Sequence, residues 1–227
     1  MAELSTDNGA ATKRRRDPER TREEILEVAG RLLANDGPEG LSVSRVAQLV
    51  GVNRGTAYHH FQTREQLLRA TVAWVSEKLR REAFGDLNLS EIVDPTAERR
   101  PRKVLEKLAN FTMEYPQYGR VWLTSILNRE DPDDDPYWNG YKALIDHFVQ
   151  SDLAEPDIDA EVHAMLMVVG AILWPVWKRV HNCSSNEERR KLAKRYTDEV
   201  LRFSLHGTLR NDRYPNLSPN MVGENNE

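Results

Sequence analysis

The chain has 227 residues, of which 39% are hydrophobic and 30% charged, a composition that fits a soluble globular protein better than a disordered or membrane protein. Its net charge of −4 argues against a protein that coats nucleic acid with its whole surface. Cys183 is the one cysteine, which excludes internal disulfides and cysteine-based zinc sites. The longest apolar run, residues 164–177, is too short to span a bilayer and no apolar signal region opens the chain, so we expect a cytoplasmic protein without membrane contact.

Positive charge is concentrated towards the N-terminus. Residues 11–70 contain eleven Lys or Arg against eight Asp or Glu, whereas residues 71–227 contain twenty-one against twenty-six. Residues 1–18 lack apolar periodicity and include the basic run at residues 13–16, so we predict a disordered basic arm. We expect this arm to attach to DNA through its charge; the alternative is a solvated tail that aids solubility.

The next segment has the pattern of a DNA-reading pair of helices. A first helix is predicted from Thr21, with Thr21 and Glu24 as a capping box and residues 35–38 as its stop. Apolar side chains three and four apart then predict a helix over residues 43–50, capped by Ser42. Gly51 allows a left-handed stop, and Asn53 caps a second short helix over residues 54–61. Two helices joined by such a turn are typical of the helix-turn-helix, whose second helix lies in the DNA major groove.

This segment resembles the N-terminal domain of the TetR (tetracycline-repressor) family. The resemblance rests on residues 40–42, 46–47 and 51–52 and on the pattern G-T-x-Y-x-H-F-x-x-R-E-x-L-L at residues 55–68. It implies an all-α fold, with an N-terminal three-helix helix-turn-helix domain and a C-terminal helical domain for ligand binding and dimerisation. One departure is Arg64, because the family more often has a lysine there, placed against a DNA phosphate.

Within the predicted reading helix, Ala57 and Phe61 are four residues apart and should face inward. The candidates for DNA contact are Arg54, Gly55, Thr56, Tyr58, His59, His60 and Arg64, with Ser44, Arg45 and Asn53 beside them. His59 and His60 are adjacent and point about 100° apart on a helix, so we do not expect them to chelate a metal.

The rest of the chain is predicted to be helical. A long helix over residues 63–84, about 30 Å in length, is expected to connect the reading segment with the body and to end at Gly85. Residues 86–100 are interpreted as a loop. Further helices are predicted over residues 101–114, 116–128, 158–180 and 186–209. Another is predicted to begin at Pro136, with Asp135 as its cap. The acidic run at residues 130–135 is interpreted as a solvated loop rather than a cation site. Residues 158–180 are apolar nearly all round, which predicts a central, buried helix.

These elements define the predicted domains. The DNA-binding domain covers residues 19–66, the helical ligand-binding and dimerisation domain covers residues 67–210, and residues 211–227 form a disordered tail. In the resembled family the last two helices, here about 158–180 and 186–209, pair with their copies in a homodimer; the alternative is that they only complete the core of one chain. Aromatic and Met side chains are expected to line an apolar effector pocket: Phe111, Tyr115, Tyr118, Trp122, Trp138, Tyr141, Phe148, Met167, Trp174 and Trp177.

The prediction is therefore a one-component transcriptional regulator, a repressor, that binds a palindromic operator in double-stranded DNA as a homodimer. A small, largely apolar or aromatic effector is expected to release it by tilting the helix over residues 63–84. The alternative is a ligand-independent DNA-binding factor whose helical body binds another protein. No nucleophile motif, metal-ligand spacing or phosphate loop is present, so we expect neither an enzyme nor a cofactor. The effector, the operator and the direction of regulation stay open.

Overall fold

The computed structural model describes residues 17–85, 100–182 and 185–206, and within these ranges it is helical without a strand. The all-α prediction is thereby confirmed. The helices are α1 (Pro18–Asp36), α2 (Val43–Val50), α3 (Arg54–His60), α4 (Arg64–Phe84), α5 (Arg100–Glu114), α6 (Pro116–Leu127), α7 (Pro136–Val149), α8 (Ala160–Asn182) and α9 (Asn186–His206). Predictions for the basic run, for residues 86–99, for Cys183 and for the tail fall outside the described residues.

The chain divides into two compact units, Met1–Trp74 and Val75–Glu227, and the boundary lies inside α4. The predicted limit of the DNA-binding domain at residue 66 is close to the start of this helix. Because α4 is continuous from Arg64 to Phe84, each unit contains part of it.

The first unit is built from α1, α2, α3 and the beginning of α4 around one apolar core. Ile25, Leu41, Val46, Phe61 and Leu67 are each at most 1% exposed and occupy its centre. Local chemistry sets the ends of α2: the Ser42 hydroxyl accepts from the backbone N–H of Arg45, and Gly51 is left-handed with φ 74° and ψ 34°. Both were predicted from the sequence and both are confirmed.

The start of α1 differs from the prediction. The helix begins at Pro18 because Asp17 caps it, its side chain accepting from the Glu19 N–H at 3.1 Å. Thr21 lies buried within the first turn and donates its hydroxyl to the Asp17 carbonyl, 3.0 Å away. The capping box predicted for Thr21 and Glu24 is therefore wrong, since an Asp-Pro pair just before it already opens the helix.

The second unit packs α5 to α9 with the C-terminal part of α4. Small side chains bring its helices together: Ala109 on α5 and Ala193 on α9 are both fully buried. At Gly119 a Cβ atom would lie 2.5 Å from Cγ2 of Val176 and 3.0 Å from Cγ2 of Ile172, so α6 and α8 approach each other more closely than any larger residue permits. Short interaxial distances of this kind depend on small residues at the contact.

Helix α8 is only half buried, and the prediction of a central, buried helix is wrong. Val162, Leu166, Leu173 and Trp177 are between 49% and 63% exposed, while Ala164, Val168 and Ile172 are fully buried on the opposite side. By length and composition α8 contains the described stretch that could span a membrane, Ala160–Lys178. In the structure, however, one face of this stretch packs against α5, α6 and α7 as a body helix.

Candidate nucleic-acid interface and effector site

Helix α3 has one buried face and one exposed face. Ala57 and Phe61 point into the core with exposures of 0% and 1%, as predicted. Arg54, Tyr58 and His59 lie on the exposed side. A short exposed helix that is held by a buried opposite face can enter the DNA major groove without disturbing the core.

The first turn of α3 is fixed by Asn53 and Thr56. The Asn53 side-chain oxygen accepts from the Thr56 backbone N–H at 2.7 Å and from the Thr56 hydroxyl at 3.0 Å. A Cβ at Gly55 would lie 3.3 Å from that same oxygen, so the glycine leaves room for the cap. The predicted cap is confirmed, and it uses the side chains of two candidate DNA residues.

Tyr58 connects the two helices of the reading pair. Its hydroxyl lies 3.4 Å from the Ser44 hydroxyl of α2, within hydrogen-bonding distance, and 44% of the residue remains exposed. The pair therefore presents two adjacent hydroxyl groups at the surface of the unit. Hydroxyl groups are common donors to DNA phosphate oxygens.

The rings of His59 and His60 are adjacent, with centroids 5.8 Å apart and planes inclined at 69°. Burial lowers the pKa of His60, and the nearby His59 and Arg22 lower it further. A lowered pKa keeps His60 neutral at pH 7, so it can accept or donate a hydrogen bond there but adds no positive charge. Among the described residues, no group of three His, Cys, Asp or Glu side chains could bind a metal.

The three arginines predicted to meet DNA differ in their surroundings. The Arg45 guanidinium donates to the Gly40 carbonyl at 3.0 Å and pairs with Asp36 at 2.9 Å. The Arg64 guanidinium donates to the backbone carbonyls of Pro38 and Leu41, which lie between α1 and α2. Arg54, in contrast, is exposed and makes no hydrogen bond or ion pair with another described residue. Its five N–H donors are therefore available to a ligand.

In the second unit, the carboxylate of Asp135 is the centre of a buried polar network. Asp135 is fully buried and caps α7, as predicted, by accepting from the N–H groups of Tyr137 and Trp138 at 3.1 and 3.0 Å. The same oxygen accepts from the Trp122 indole N–H at 3.0 Å, and the other oxygen accepts from Arg129 at 3.2 Å. Residues 130–134 are exposed, as expected of a solvated segment, although Pro132–Asp134 form a short 3-10 helix; for the buried Asp135 the interpretation as a solvated loop is wrong.

Ser76 joins α4 to this network. Its hydroxyl donates to Asp135 at 2.7 Å and accepts from the Tyr137 backbone N–H at 3.1 Å. About two helical turns further along α4, the Phe84 ring stacks on the Tyr137 ring with centroids 5.9 Å apart. The C-terminal part of α4 is therefore attached to the first turn of α7 by a polar and by an aromatic contact. Ser76 is not among the residues predicted from the sequence; its signal is a serine between the apolar residues of a predicted helix.

The predicted effector residues fall into separate groups. Phe111, Tyr115 and Tyr118 form an aromatic cluster with centroids 5.2 to 6.0 Å apart. Trp122 and Trp138 are buried, and their indole N–H groups donate to Asp135 and Asp133. The remaining members lie elsewhere in the body, half-buried except for the exposed Trp177: Tyr141, Phe148, Met167, Trp174 and Trp177.

A cavity of ≈ 820 Å³ lies beside α9. Its apolar lining includes Trp174, Val200 and Phe203, together with Tyr196, whose ring stacks on Trp174 with centroids 5.4 Å apart. Its charged lining residues are Lys191, Lys194, Arg195, Asp198, Glu199 and Arg202. Of the predicted effector residues, Trp174 lines this cavity. Burial raises the pKa of the Tyr196 phenol, so it stays neutral.

The comparisons with known proteins agree with this architecture. Residues 25–71 match the family model described as "Bacterial regulatory proteins, tetR family". The chain is 24% identical over 154 residues to the HTH-type transcriptional regulator PksA of Bacillus subtilis, covering 65% of this chain and 73% of PksA. It is 28% identical over 142 residues to the HTH-type transcriptional repressor AcnR of Corynebacterium efficiens, covering 60% of this chain and 66% of AcnR.

Solved structures with the same fold cover most of the chain. A TetR-family regulator from Shewanella superposes with a TM-score of 0.62 at 18% identity, covering 84% of this chain and 99% of that chain. AibR, solved in complex with isovaleryl coenzyme A and operator DNA, superposes with a TM-score of 0.56 at 20% identity, covering 75% of this chain and 94% of AibR. At these identities the likeness establishes the fold.

Proposed function

Because residues 25–71 match the TetR family model of bacterial regulatory proteins, we propose that the chain is a transcriptional repressor that reads a palindromic operator with α3. The observation that carries this proposal is the exposed face of α3, where Arg54 has no described partner and Tyr58 and His59 are accessible. Arg54 would donate to guanine or phosphate, and the hydroxyls of Ser44 and Tyr58 would donate to phosphate. A neutral His60 would add a hydrogen bond rather than a charge.

We propose that two copies bind the operator together. One helix of seven residues contacts too few bases for a specific site, whereas two related by a two-fold axis can read both halves of a palindrome. The exposed apolar stripe of α8, formed by Val162, Leu166, Leu173 and Trp177, supports a self-complementary interface. An apolar stripe of this length along one helix is uncommon on the surface of a monomer.

An effector would release the operator through α7 and α4. The cavity beside Trp174 and Tyr196 has the size of sites for small molecules, and these two rings form, beside its charged lining, an apolar part that suits a largely apolar or aromatic ligand. A ligand that prefers one arrangement of the body by 1 to 3 kcal/mol would shift DNA occupancy usefully. The attachment of Ser76 to Asp135 and Tyr137 supports a route from the body to α4, whose tilt would displace the reading helices.

The experiment is a selection of random-sequence DNA duplexes by the full chain, followed by titrations of the enriched duplex. The proposal expects an inverted repeat and a steep loss of affinity with salt. Isovaleryl coenzyme A and other acyl thioesters, suggested by the ligand of AibR, are then added to the complex. No enrichment over random duplex would reject the DNA-binding proposal. If a duplex is enriched but no compound in small-molecule libraries changes the affinity of the chain for it, the result would favour a ligand-independent factor whose body binds another protein.

A further inference from the structure

We propose that Arg64 and Arg45 act on DNA binding as positioning residues, which clamp the segment between α1 and α2 instead of contacting phosphates. The inference rests on the proposed DNA binding, since the clamp matters only if α2 and α3 meet a duplex. It replaces the phosphate role expected for Arg64 from its place in the sequence pattern. The evidence is that both guanidinium groups donate their hydrogen bonds to backbone carbonyls of this segment.

Three backbone carbonyls of the connector accept from these two side chains. Arg64 donates through Nη2 to the Pro38 carbonyl at 2.7 Å and through Nε to the Leu41 carbonyl at 3.2 Å. Arg45 donates at 3.0 Å to the carbonyl of Gly40, which lies between Pro38 and Leu41 in the sequence. Each arginine also has a carboxylate near it, Glu39 at 3.2 Å for Arg64 and Asp36 at 2.9 Å for Arg45. The guanidinium groups therefore face the protein.

The clamped segment is the point from which α2 starts. Leu41 is buried in the core, and Ser42, the next residue, caps α2. The segment is also tightly folded, because a Cβ at Gly40 would lie 2.3 Å from Cβ of Asp36. Arg64 is the first residue of α4, so its two hydrogen bonds connect the start of α4 to the start of α2 across more than twenty residues of sequence. A shift of this connector would move α2 and, through the Ser44 and Tyr58 hydroxyls, α3.

The fork of donors explains why an arginine fits at position 64. Nε and Nη2 lie on one edge of a rigid planar group and can donate to two carbonyls at once. A lysine has the same charge but a single ammonium on a flexible stem, so it cannot reproduce this pair of bonds. A phosphate contact, in contrast, would tolerate lysine well. Replacement of Arg64 by Lys therefore separates the two roles.

The test uses the full chain with Arg64→Lys, Arg64→Ala and Arg45→Lys, and Arg31→Lys as a matched control on the exposed surface of α1. Binding to the selected duplex and to a random duplex is measured over a range of salt concentrations, at a temperature where circular dichroism shows every variant to be folded. We expect all three clamp variants to lose about tenfold in specific affinity. Affinity for random duplex and the salt slope should stay at the values of the original chain, and Arg31→Lys should change nothing.

Two results would overturn the positioning role. If Arg64→Lys binds like the original chain while Arg64→Ala flattens the salt slope by about 0.9, Arg64 contacts a phosphate. If the variants only unfold at lower temperature and bind the selected duplex with full affinity when folded, the clamp serves stability alone. A chain that does not prefer the selected duplex even before substitution would instead reject the proposed function, so the two failures are distinguishable.

Discussion

The carboxylate of Asp135 connects several elements of the body. It receives hydrogen bonds from Ser76 on α4, from Trp122 on α6, from Arg129 and from the first turn of α7. Its role as a helix cap could be predicted, because the residue before a proline at a helix start is a local signal. Its contact with Ser76 could not, because the two residues are 59 positions apart.

Replacement of Asp135 by Ala would leave these buried donors without an acceptor. We expect a loss of about 3 to 5 kcal/mol in the free energy of unfolding of the body, the range for breaking a buried charged network. Asp134→Ala is the matched control, since Asp134 is exposed in the same acidic segment and its removal should change stability by less than about 0.5 kcal/mol. Urea unfolding of both variants provides the measurement. Equal midpoints would show that the network contributes no stability.

At the scale of an element, α8 shows what periodicity can and cannot indicate. An all-round apolar pattern predicts burial, yet the described chain covers only one side of this helix and leaves Leu166 and Leu173 exposed. The sequence cannot say whether an apolar face is covered by its own chain or by a second copy, because both satisfy the same hydrophobic pattern. By contrast, the caps Ser42 and Asn53 and the left-handed Gly51 are correct because each depends on neighbours within a few residues.

If α8 forms the interface between two copies, a charge within its exposed stripe should separate them. Leu166→Glu and Leu173→Glu each place a carboxylate against an apolar partner, and burial of an unpaired charge is costly. We expect the sedimentation coefficient to fall from that of a dimer to that of a monomer. Leu127→Glu, at the exposed end of α6, is the control and should leave the dimer intact. A dimer that persists in both α8 variants would place the interface on another surface.

At the scale of the whole molecule, the sequence indicates DNA binding more clearly than regulation. The helix-turn-helix pattern of residues 42–68 is local, so it could be read before the structure was known. The internal use of Arg64 could not, because its partners Pro38 and Leu41 precede it by 26 and 23 residues. The effector residues were the hardest to predict. Trp122 and Trp138 are residue types that often line ligand pockets, but here their indole N–H groups donate to Asp135 and Asp133 of the same chain.

The central claim is that α3 reads the operator, and the affinity of Arg54→Ala for the selected duplex tests it most directly. Arg54 is the exposed arginine of α3, which we expect to donate to a base or a phosphate, and loss of a bidentate base contact costs about 1 to 3 kcal/mol. We predict at least fivefold weaker binding to the selected duplex with unchanged thermal unfolding, and full affinity for Arg31→Ala, which removes the same charge from α1. If Arg54→Ala binds the selected duplex as tightly as the unsubstituted chain, the result would contradict the claim that α3 reads the operator.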